Sequence, residues 1–101
     1  MTFEHEILHA TGRTAIDEQG ASMGMVTDVL FDREGQPCWA VVDPGPLHRS
    51  HYAPLDGAYE TTDGALALAV TKELVRHAPV APRNHLLTPD AERELREYYN
   101  N

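Results

Sequence analysis

The sequence predicts a mainly β domain of about six short strands that form a small antiparallel barrel, with a short helix and a C-terminal helix after it. Three observations lead to this. Turn signals ending in glycine divide the first two-thirds of the chain at Asp17-Glu18-Gln19-Gly20, Asp32-Arg33-Glu34-Gly35 and Thr62-Asp63-Gly64. Large apolar residues alternate between such turns, most regularly in Ala65-Leu66-Ala67-Leu68-Ala69-Val70. Beyond Val70 the apolar spacing changes from every second residue to helical.

At each turn an Asp side chain can bond its own backbone two residues on, and Gly accepts positive φ, so strands are expected on both sides. They fall at residues 13–17, 24–32, 38–43, 50–54, 57–61 and 65–70. In the last, Leu66, Leu68 and Val70 share one face and are assigned to the core. In the second, Val26 lies at opposite parity to Val29 and Phe31, which a β-bulge near Thr27-Asp28 reconciles by inserting one extra residue. The unbroken apolar run Cys38 to Val42 reads as a central strand covered on both faces, with Cys38 buried as a small hydrophobe.

Thr71 is placed to cap a short helix through Glu73, Leu74 and Val75, which Pro79 ends, and residues 79–82 form an extended linker. Thr88-Pro89-Asp90 is a stronger start signal, with a Thr cap, Pro at the first helical position and an acid at the positive end of the helix dipole. The helix runs to about Tyr99, with Ala91, Leu95, Tyr98 and Tyr99 on one stripe and Glu92/Arg96 and Arg93/Glu97 as i,i+4 pairs outside it. A helix this short needs a surface, either its own sheet or a second subunit.

At 101 residues the chain suits one core, and seven Gly and seven Pro lie between apolar runs instead of in a low-complexity tract. Sixteen acidic against eight basic residues give a formal charge of −8, which repels nucleic-acid phosphates and anionic lipid headgroups. No apolar stretch approaches the roughly 20 residues that span a bilayer, and Met1 to Ala10 is not a secretion signal. A single cysteine, Cys38, suits a reducing compartment, so the expected location is cytoplasmic.

The succession Gly24-Met25-Val26-Thr27-Asp28-Val29-Leu30-Phe31-Asp32, the Gly35 turn, Trp39-Ala40-Val41-Val42, Ala53-Pro54-Leu55, Gly64 with Leu66, Leu68 and Val70, and Lys72-Glu73-Leu74 with Ala78-Pro79 resembles the PRC-barrel family. That family is named after the cytoplasmic domain of the photosynthetic reaction-centre H subunit. The resemblance covers about residues 8–80, and the tail with Leu87-Thr88-Pro89, Glu94-Leu95 and Tyr98-Tyr99 looks like the helical extension of free-standing bacterial members. It implies a strongly bent antiparallel barrel over residues 1–80, and over 81–101 a linker and helix packed on the barrel or on a partner. It also implies an interaction module.

In the H subunit the domain packs on membrane subunits and takes part in proton delivery to a quinone; in the ribosome maturation factor, beside another domain, it engages ribosomal components. These 101 residues hold neither a transmembrane helix nor a second domain, so neither task carries over. The family's shared motif is structural, so no catalytic residue is transferred.

Two chemical motifs stand beside this resemblance. His5-Glu6-Ile7-Leu8-His9 is a literal H-E-x-x-H, which on a helix lets two imidazoles grip zinc while the Glu activates its water. Gly12 extends the match towards the longer metzincin form, but position 15, the next expected ligand, is Ala. In a strand the two imidazoles stand about 13 Å apart, too far for one ion. A small zinc-dependent hydrolase is therefore the alternative, and no metal or cofactor is expected.

His48-Arg49-Ser50-His51-Tyr52 carries a second alternative, a ligand- or pH-sensing loop, because imidazoles titrate near neutrality. Asp28, Asp32, Asp43 and Asp56 are read as strand-end and turn residues instead of an acid–base pair, and neither Ser22 nor Ser50 sits in a nucleophile context. Trp39 is assigned to the core.

The leading expectation is a non-catalytic adaptor that binds protein partners, itself included as a homodimer, through exposed strand edges or the C-terminal helix. The residues expected to touch a partner or ligand are His48, Arg49, His51, Tyr52, Tyr98 and Tyr99.

Overall fold

The computed structural model describes residues 10–100. Six strands, β1 (Thr14–Ile16), β2 (Ser22–Phe31), β3 (Pro37–Asp43), β4 (His51–Pro54), β5 (Tyr59–Glu60) and β6 (Leu66–Ala67), are followed by helices α1 (Lys72–Arg76) and α2 (Pro89–Asn100). The strands form one sheet in the order β4-β3-β2-β1-β6-β5.

Four of the five pairings are antiparallel, but β1 and β6 run parallel, with Ala15 opposite Leu66 and Ile16 opposite Ala67. The expected antiparallel barrel is corrected accordingly: the sheet is mixed, and its edges β4 and β5 do not pair with each other. Turn chemistry fixes the direction of consecutive strands only, and β1 and β6 are not consecutive.

Three turns are built alike. Asp17 Oδ1 accepts from the N–H groups of Gln19 and Ala21, and Asp32 Oδ1 accepts from those of Glu34 and Gln36. Each turn closes with a glycine in the left-handed region, Gly20 and Gly35. In the third, Thr61 takes the place of the Asp: its hydroxyl accepts from the Ala65 N–H and donates to Asp63.

The bulge in β2 lies at Thr27. Val26 pairs with Val42 and Asp28 with Val41, so Thr27 is the extra residue, and both Val26 and Val29 are buried in one cluster. Further along, Leu66 and Leu68 are buried and Val70 packs on the same cluster, as alternation requires.

β3 is covered on both faces. Ala40 and Val42 join Val26, Leu66 and Leu68 on one side, whereas Trp39 and Val41 join Tyr52, Ala81 and Leu95 on the other. The second cluster is roofed by α2. Thr88 Oγ1 accepts from the Ala91 N–H and caps α2, and Leu95 is its one buried residue. Tyr99 donates to the carbonyl of Tyr52 at 2.6 Å, Tyr98 donates to that of Leu74, and Trp39 Nε1 donates to Glu92 at 3.2 Å. The C-terminal helix thus packs on its own sheet.

Outside the stripe, Glu92 pairs with Arg96 at 2.9 Å as expected, but Arg93 pairs with Asp90 at 3.2 Å and not with Glu97. Among the described residues no helix is long and apolar enough to cross a membrane.

Candidate functional site

A cleft of about 580 Å³ opens between the loop of residues 44–50 and α1. Its position follows from backbone chemistry. Gly24, at φ +119°, has no side chain, and a Cβ there would collide with the Asp43 carbonyl and lie 2.7 Å from Pro44 Cα. Glycine therefore lets β2 press against the end of β3, where the loop departs. Asp43 Oδ1 then accepts from the Gly45 N–H at 3.0 Å and starts the loop's turn.

The opposite wall is held by Asp17, which is only 4% exposed. Its Oδ2 accepts from the Lys72 N–H at 2.9 Å, beside the capping bond from Leu74 N–H to Thr71 Oγ1. These backbone bonds, led by the one from Lys72, hold the Asp17 carboxyl below its usual range despite burial.

His48, Arg49, His51, Lys72 and Arg76 line this cleft over a floor that includes Met23, Val42 and Val75. No acidic side chain among the described residues lines it. Among the described residues no hydrogen bond or ion pair engages the side chains of His48 and Arg49. Arg76 meets Glu73 at 3.4 Å in a pair whose side chains are both about two-thirds exposed, a geometry worth little in water.

His51 is anchored. Its Nδ1 lies 2.9 Å from the Ala78 carbonyl, which can only accept, so Nδ1 carries the proton and Nε2 is left towards the cleft. That bond fixes His51 as a wall residue of the cleft. The outer edge of β4 is covered at its start, where His51 bridges Val80 and the Ala81 N–H donates to the Ser50 carbonyl at 2.9 Å.

The six expected contact residues therefore separate. His48, Arg49 and His51 meet at the cleft, whereas Tyr52 and Tyr99 belong to the cluster beneath α2 and Tyr98, half-buried, donates to the Leu74 carbonyl. Tyr52 is 2% exposed and donates to the Leu86 carbonyl at 2.9 Å. Burial raises the hydroxyl of all three tyrosines, aided by the charge of Asp28 at Tyr52 and of Glu73 at Tyr98. Lys72 and Arg76 escaped the sequence reading, because only the tertiary fold brings α1 beside the 44–50 loop.

Asp32 and Asp43 serve local backbone at turns as expected, whereas Asp28 lies within β2, where its Oδ1 accepts from the Val29 N–H and its Oδ2 lies 3.0 Å from His85 Nδ1. Cys38 is half-buried instead of buried, and desolvation, then the charge of Asp32, raises its thiol. Among the described residues no three His, Cys, Asp or Glu side chains converge on a metal position. The motif His5-Glu6-Ile7-Leu8-His9 lies outside the described residues. Compared with models of known families and with curated proteins, the chain matches none.

Proposed function

We propose that this chain is a non-catalytic protein-binding module of the PRC-barrel type, and that the cleft between the 44–50 loop and α1 is its contact surface. The observation that carries the reading is the gathering of Arg49, Lys72 and Arg76 with two histidines on one surface of a chain of net charge −8. Side chains that chemistry would enlist elsewhere are engaged in holding backbone: Asp17, Asp32 and Asp43 cap turns, and three tyrosine hydroxyls donate to carbonyls. The bulge at Thr27 and the terminal helix packed on its own sheet support the PRC-barrel resemblance, from which the parallel β1–β6 join departs.

Of the strand edges and terminal helix expected to recruit a partner, the start of the β4 edge meets Val80 and the apolar stripe of α2 packs on its own sheet, which favours the cleft as the contact surface. The test is capture from native lysate with the full chain, followed by titration of the purified candidate against it. A stoichiometric partner that rebinds in isolation supports the reading. Substrate turnover by the purified chain, abolished by a single substitution, would replace it with an enzymatic one.

A further inference from the structure

The cleft also carries information about what it binds. Its lining joins three cations and two imidazoles to an apolar floor, and among the described residues the carboxylates of Asp17, Asp43 and Glu73 nearby are already engaged. Asp17 receives three backbone N–H groups, Asp43 receives that of Gly45, and Glu73 faces Arg76 and His77. A ligand entering here meets uncompensated positive charge at Arg49 and hydrophobic surface at Met23, Val42 and Val75 together.

Val80 adds apolar surface to the cleft wall at 42% exposure, and Leu47, 91% exposed, adds more in the 44–50 loop beside it. Together with about 580 Å³ of volume, that footprint exceeds what a small inorganic ion fills. An extended phosphate backbone is disfavoured because the net charge of −8 repels a long polyanion, whereas a short segment presents its charges only at the cationic wall. Guanidinium groups offer forked donors that match carboxylates.

We infer that the cleft receives an acidic segment of a protein partner, with Asp or Glu side chains on Arg49, Lys72 and Arg76 and an apolar side chain on the Met23–Val42–Val75 floor. This rests on the interaction-module reading and names the partner chemistry of that site. Arg49, Lys72 and Arg76 are exposed, so reversing them leaves the core untouched.

The test uses the full chain, ¹⁵N-labelled, titrated with a synthetic peptide of alternating Glu and Leu, with a matching Lys and Leu peptide, and with inorganic phosphate. The acidic peptide is expected to shift amide signals of residues 44–51 and 72–76. The double variant Arg49→Glu, Lys72→Glu should weaken that binding at least about tenfold and gain affinity for the basic peptide. Unchanged binding in the double variant, or no shifts at millimolar peptide, overturns the inference; equal shifts from phosphate alone would make this a free-anion site and overturn it too. If the double variant still captures the same lysate partner, the cleft assignment falls while the interaction module stands.

Discussion

The carboxylate of Asp17, in the turn after β1, accepts a hydrogen bond from the backbone N–H of Lys72 at 2.9 Å across 55 residues of sequence. Its other oxygen closes its own turn through Gln19 and Ala21, so one buried side chain ties the first hairpin to α1. That tie sets where Lys72 and Arg76 stand relative to the 44–50 loop.

Replacing Asp17 with Ala strands three donors, and the chain should lose on the order of 3 kcal/mol of stability, read as a lower urea midpoint. The same residue predicts acid sensitivity. Its folded carboxyl titrates below the ordinary 3.8, so the unfolded chain binds the proton more tightly. The stabilisation is complete above about pH 4 and is lost as pH falls through the lower folded value. Urea midpoints measured from pH 6 to pH 2.5 should fall more steeply in the wild type than in Asp17→Ala.

Gly24→Ala should be more damaging than its size suggests. Its backbone is left-handed at φ +119° and a Cβ meets the Asp43 carbonyl, so a loss of at least about 3 kcal/mol is expected. Gly20→Ala, whose Cβ meets nothing within 4 Å, bears only conformational strain and serves as the comparison. Melting followed by circular dichroism orders the two variants.

Removing Leu95 to Ala should cost about 2–5 kcal/mol by opening the cluster beneath α2, and Tyr99→Phe about 1 kcal/mol by losing the bond to the Tyr52 carbonyl. Trp39 is the single tryptophan and lies in that cluster, with its ring centroid 6.0 Å from that of Tyr99. Its emission should shift to longer wavelength in Leu95→Ala and stay put in Tyr99→Phe.

Thr61 offers a turn test. Its hydroxyl accepts from Ala65 and donates to Asp63, which holds the Asp63 carboxyl below its usual range. Thr61→Ser should melt near the wild type and Thr61→Val lower. Thr61→Asp should not rescue at neutral pH, because two carboxylates would then face each other, even though Asp serves at positions 17 and 32.

Much of this architecture was legible from local pattern. The parity clash between Val26 and Val29 located the bulge at Thr27, and Thr71 and Thr88 marked both helix starts, because these features depend on neighbours a few residues away. What escaped is tertiary. Nothing local says that β1 and β6 run parallel, that Asp17 reaches Lys72, or that Cys38 stays half-exposed beside a fully covered Trp39. The His48–His51 segment was recognisable as chemically unusual, but its meaning depends on two cations from α1 and on a carbonyl at Ala78 that fixes one imidazole.

The parallel join of Ala15 with Leu66 has a consequence for synthesis. During translation β1 emerges early, and its second neighbour leaves the ribosome only after the whole β2–β4 meander has been made. A nascent chain arrested before Leu66 would hold β1 with one side unpaired and Leu66 and Leu68 missing from the core. Such a chain should be protease-sensitive, and acquire resistance abruptly once residue 68 has cleared the exit tunnel.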